Sequence, residues 1–107
     1  MELCALALAC VAVAAIAPAA AAAGDHRTLH RYAAGTWASF EAMTDPATGL
    51  PTDLLHGDGT RDIQTSTTNI GAYMWSAVAA QRIGLIGRRE LLARMDRTVS
   101  TIEAMET

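Results

Sequence analysis

A chain of 107 residues allows at most one domain. Its eight basic and eleven acidic residues are spread evenly, which excludes a charge-driven binder of nucleic acid or of an anionic membrane surface. All the basic residues are arginines, and both cysteines, Cys4 and Cys10, lie near the start, so the remainder carries neither thiol nor disulfide.

Leu3 to Ile16 is an unbroken apolar run, followed by Pro18 and an alanine tract ending at Ala23. Such a run is too short to span a bilayer as a helix, and with small residues at Ala21 and Ala23 it reads as a secretory signal over residues 1–23. The acidic Glu2 is unlike the usual basic start of such a signal. The expected location is secreted or cell-envelope, with no membrane span once the leader is gone. Residues 24–107 would then form the functional part, and a domain of about 84 residues buries only about 60% of its unfolded surface.

Leu29, Tyr32, Ala33, Thr36, Trp37, Phe40 and Met43 recur at three and four, the mark of a helix with one buried stripe, and Asp25 is its expected N-cap. From Thr44 to Thr65 turn chemistry takes over. Asp45-Pro46-Ala47-Thr48-Gly49 suits a turn closing on a glycine with positive φ, and Gly57-Asp58-Gly59 supplies a second bend. A loop of about twenty residues in a small domain is more often functional than decorative.

The second helix differs in kind, because no charged side chain occurs between Ile70 and Ala80. A helix apolar on every side is one surrounded by protein. Ser66 is its expected cap, and Gly84 suits a left-handed C-terminal residue with Leu85 folding back. A third helix carries Leu91, Leu92, Met95, Val99, Ile102 and Met105 on one stripe. Glu90, four before Arg94, predicts an ion pair of roughly 0.3–0.5 kcal/mol.

The segment Thr65-Ser66-Thr67-Thr68-Asn69-Ile70-Gly71 brings hydroxyl and amide groups to the start of this uncharged helix. Together with Tyr32, Trp37, Asp45 to Pro51 and Gly84 to Glu90, it resembles the opening segment of bacterial glucoamylase-like proteins. In that family the residues ahead of the inner helix read Thr-Ser-Pro-Thr-Asn-Ile-Gly, so Thr67 stands in place of the proline. The family is related to endo-β-1,2-glucanases and to the processing region of cyclic β-1,2-glucan synthases. The resemblance runs from about Leu29 to Glu106. It implies an all-α fold made of the first three helices, outer, inner and outer, of an α/α toroid that is truncated here.

The implied activity is glycoside hydrolysis of a glucan, β-1,2-linked in preference to starch, with no cofactor. Thr65, Thr68 and Asn69 are the expected substrate-binding residues. The catalytic carboxylates would lie beyond Thr107, and none is assigned within the chain. Asp45, Asp53, Asp58 and Asp62 are the loop carboxylates, but nothing in their spacing fixes the acid and base pair that glycosidic cleavage requires. No metal site is assigned, since His26 and His30 lie on a polar helix face without a cysteine to help. Trp37 and Trp75 could stack on sugars, yet both sit on helical stripes, where core packing is favoured. The alternative is a small exported helical interaction module without activity. Either way, uncovered helix faces invite self-association.

Overall fold

The computed structural model describes residues 2–105, with side chains described from Ala22 onward, so Cys4, Cys10 and most of the expected leader lie outside the described side chains. It holds three helices, α1 (Glu2–Met43), α2 (Thr67–Arg82) and α3 (Arg88–Ala104), and no strand among the described residues. The all-α expectation agrees. The chain divides into two compact units, one ending at Tyr32 and one beginning at Ala33.

The helix expected to start at Asp25 instead begins at Glu2 and runs through that position without a cap. Alanine is the best helix former, and the single Gly24 costs only about 1 kcal/mol, too little to end the helix there. In the first unit Leu29 and Tyr32 are exposed, so the sequence stripe is not buried at its beginning, and Arg31 lies 5.6 Å from the Tyr32 ring centroid. Among the described residues no helix is long and apolar enough to cross a membrane.

The second unit has a small core of Trp37, Tyr73, Ala77, Ala80 and Ile86, flanked by Phe40, Met74, Leu85, Leu91 and Met95. Ser66 caps α2 by accepting from the Asn69 amide at 3.1 Å. At the other end Gly84 has φ 83°, its amide donates to Gln81 O and the Leu85 amide to Ala80 O at 2.8 Å. That pair of bonds is the reason a glycine stands there, because the left-handed turn would strain any side chain. The turn is short, and α2 packs directly on α3.

Two expectations of burial are corrected. α2, uncharged from Ile70 to Ala80, is covered on one side only: Tyr73, Ala77 and Ala80 are buried, while Trp75 is 77% exposed and Val78 and Ile83 are exposed as well. Two neighbouring elements can cover only part of a helix circumference. Trp37, by contrast, is in the core as expected. On α3 the outer stripe residues Leu92, Val99, Ile102 and Met105 are exposed, and the residue fully buried is Thr98. Its hydroxyl is 2.8 Å from Gly49 O and 3.0 Å from Arg94 O, so a polar side chain is buried with its hydrogen bonds made.

Gly49 is the tightest point of this arrangement. Its φ is 71°, and a Cβ placed there would lie 2.9 Å from Thr98 Oγ1 and 3.1 Å from Thr98 N. Gly49→Ala is therefore expected to destabilise the second unit by about 2–4 kcal/mol through backbone strain and overpacking. Urea unfolding followed by circular dichroism checks this; an unchanged midpoint would show that the loop does not dock on α3 as described.

Candidate functional site

The loop between α1 and α2 is folded on itself and fastened to every helix near it. Thr44 bridges Pro51 in antiparallel fashion, the Asp45 amide donates to Leu50 O at 3.0 Å, and Asp45 Oδ1 accepts from the Ala47 amide at 2.8 Å. The expected turn at Asp45 to Gly49 is thus present, and Asp45 spends one oxygen on holding it. Thr101 donates to Thr48 O at 2.6 Å, next to the Thr98 bond to Gly49, so two threonines one turn apart on α3 grip consecutive loop carbonyls.

Farther along, the buried Thr52 donates to Asp62 O at 2.7 Å, Leu55 bridges Arg61, and Arg61 Nε donates to Ala42 O at 2.6 Å. These bonds bend residues 52–64 into a narrow second turn, at whose tip Gly59 has φ 86°. Asp58 accepts there from the Thr60 amide at 2.9 Å and from its hydroxyl at 2.7 Å. Hydrogen bonding from the Thr60 backbone, then from its side chain, holds the Asp58 carboxyl below the usual aspartate range.

The three expected substrate-binding residues fall at the join of this loop with α2. Thr65 is half-buried, and its hydroxyl oxygen is buried without a hydrogen-bond partner. Thr68 is exposed on the first turn. Asn69 is half-buried; its backbone amide serves the Ser66 cap and its side-chain amide donates to Asp53 Oδ1. Asn69 therefore ties loop to helix in addition to any contact with ligand. Of the loop carboxylates, Asp45, Asp53 and Asp58 each accept a bond within the loop or from α2, and Asp62 lies 4.0 Å from His56. They are spread along the loop: Asp45 and Asp58 hold turns, Asp53 ties the loop to α2, and Asp62 lies beside His56. No group of three or more metal-ligating side chains occurs among the described residues.

A polar cluster that sequence reasoning missed lies beside the loop. Arg94 Nη2 binds Glu41 Oε1 and Glu90 Oε1, both at 2.6 Å, and Nε binds Glu90 again at 2.9 Å. Its guanidinium lies 5.1 Å from the Trp37 ring centroid, and Trp37 in turn stacks on Tyr73 at 6.2 Å with planes 10° apart. Burial pulls the Arg94 pKa down, but the hydrogen bonds that Arg94 donates to Tyr73 and Glu90, with their charges, outweigh the burial and the net shift is upward. Only the Glu90 half was legible in sequence, through its spacing of four. Glu41 stands 53 residues from Arg94, beyond any local pattern.

The cluster lines a cleft of about 400 Å³ that also includes Asp45, Arg61 and Arg97. A second cleft, about 430 Å³, lies along the loop and is lined by Thr48, Thr52, Gln64 and Thr65 among others. A third, about 280 Å³ and mainly apolar, runs between Trp37, Phe40 and the exposed Trp75.

Replacing Arg94 by Met keeps the aliphatic stem over Trp37 but removes the charge, and is expected to cost about 1–2 kcal/mol. Glu41→Gln should cost less, about 0.5–1 kcal/mol, because that pair is partly solvated. Thermal unfolding of both variants checks the order. For Asp58 the sign follows from its lowered pKa: the carboxylate stabilises the fold above the pKa of the unfolded chain, and that contribution is lost as pH falls through the folded value. A carboxyl-carbon NMR titration should find Asp58 ionised at a pH where free aspartate is already protonated, and Thr60→Val should shrink the difference without removing it, because the Thr60 backbone amide, the larger of the two causes, still donates.

Residues 31–107 match a family model described as a protein of unknown function, DUF3131. Over 80 residues the chain is 35% identical to the cyclic β-(1,2)-glucan synthase NdvB of Rhizobium meliloti (strain 1021), an alignment covering 72% of this chain and 3% of that protein. The chain thus spans only a small part of that relative. No solved structure matches it.

Proposed function

The chain belongs to the DUF3131 family, and from that premise we propose that it is one segment of a secreted glucan-acting protein of the glucoamylase-like type. In this reading residues 1–23 are the export signal, and residues 24–107 supply the outer, inner and outer helices that open an α/α toroid. The substrate is a glucan, β-1,2-linked in preference to starch. Thr65, Thr68 and Asn69 contact it, and the catalytic carboxylates come from outside these 107 residues. The similarity to a cyclic β-(1,2)-glucan synthase supports the substrate class.

The observation that carries this reading is α2. It is capped at a polar start, carries no charge from Ile70 to Ala80, and leaves Trp75, Val78 and Ile83 uncovered. Leaving so much apolar side chain in water forfeits about 25 cal/mol for each Å² that further helices could cover. An inner helix of a larger ring has that cover on all sides. The charged faces of α1 and α3 suit the outside of the same ring.

The test is sugar binding by the 107-residue chain, measured by calorimetry with a linear β-1,2-gluco-oligosaccharide and a malto-oligosaccharide control. Binding of the first in preference to the second is expected. Asn69→Ala should weaken it about fivefold, the loss of one neutral hydrogen bond. Ser66→Ala should instead lower stability by about 1 kcal/mol through loss of the cap. If Asn69→Ala lowers the unfolding midpoint and leaves affinity unchanged, the residue serves only to hold Asp53, and the binding assignment fails.

A further inference from the structure

The two polar clefts beside the loop share a wall, because Asp45 and Arg61 line both of them. Each has the volume of a small-ligand site, for which about 300–1,000 Å³ is usual. Several of their polar groups are unspent. Arg61 commits Nε to Ala42 O, and neither it nor Arg97 forms an ion pair among the described residues. Asp45 uses one carboxylate oxygen in its turn. At the far end of the second cleft stands Thr65, whose buried hydroxyl has no partner. A buried polar atom without a partner is uncommon enough in folded proteins to ask what completes it.

The charges say what kind of ligand fits. Around the first cleft three carboxylates, Glu41, Asp45 and Glu90, face three guanidinium groups, Arg61, Arg94 and Arg97. An anion gains nothing net from such a set. A neutral molecule with many hydroxyls does, since each hydroxyl can donate to a carboxylate and accept from a guanidinium at once.

We propose that the two clefts form one groove that binds a linear gluco-oligosaccharide, with Asp45 and Arg61 holding a sugar unit at the junction and Arg97 the next unit. The proposal rests on the glucan reading above and extends it from the Thr65 to Asn69 segment to a second set of residues. Arg94 is excluded from the contact set because Glu41 and Glu90 occupy it.

The experiment is a titration of the 107-residue chain with a linear β-1,2-gluco-oligosaccharide, followed by calorimetry and by amide and arginine Nε NMR signals. Shifts should appear at Thr65, Gly49, Arg61 and Arg97 together. Asp45→Asn keeps the oxygen that accepts from Ala47 and removes the charge; Arg97→Ala removes a guanidinium that forms no ion pair among the described residues. Each should weaken binding about five- to tenfold, with the unfolding midpoint unchanged. Shifts confined to Thr65, Thr68 and Asn69, with full affinity in both variants, would overturn the groove while leaving the glucan reading intact. No saccharide binding at all would overturn both. Titration with inorganic phosphate adds a third arm: shifts at Arg61 and Arg97 with phosphate but not with sugar would replace the saccharide groove by an anion site.

Discussion

The second unit depends on one guanidinium. Among the three helices only α2 and α3 approach each other backbone to backbone, so the end of α1 is joined to them through side chains. Arg94 makes that junction by lying over Trp37, bridging to Glu41 on α1 and holding Glu90 on its own helix. Trp37 then stacks on Tyr73, which is 1% exposed. A cation facing an aromatic and two carboxylates is directional, whereas the apolar packing of Ala77, Ala80 and Ile86 beneath it is not. The buried indole nitrogen of Trp37, which has no partner, is the cost of placing the ring there.

What the sequence makes legible is what is local. The Ser66 cap, the turn closing on Gly49, the left-handed Gly84 and the Glu90–Arg94 pair each span five residues or fewer, and each depends on the chemistry of one or two side chains. The illegible features join residues about fifty apart. Nothing in the pattern around Thr98 says that its hydroxyl meets Gly49, and on periodicity alone a threonine between Met95 and Val99 reads as a flank of the stripe. Trp75 was misplaced for a related reason. A charge-free helix implies surrounding protein, but the sequence of one segment does not state how much of it the same segment provides.

The candidate site shows the same division. Thr65, Thr68 and Asn69 were identifiable because hydroxyl and amide residues gather at a helix start. Arg61 and Arg97 were not, since arginines scattered through a sequence carry no spacing signal, and only the docked loop brings them to one cleft. The loop is able to do this because its carbonyls are taken up by Thr98, Thr101 and Thr52, while its own Arg61 reaches back to the Ala42 carbonyl of α1. It is long in sequence and short of freedom in space.

The pairing of Thr98 and Thr101 with Gly49 and Thr48 has a consequence for the order in which the unit assembles. The α2–α3 hairpin is closed by a five-residue turn and can form early, because little chain entropy is lost in closing it. Loop docking must wait, since its anchors join residues 49 and 53 positions apart in the chain. The last contacts made are commonly the first released in local opening, so hydrogen exchange at the Gly49 and Thr52 amides would run ahead of exchange in the middle of α2. The groove walls would then come and go as one piece, with the helical hairpin remaining as a platform onto which they refold.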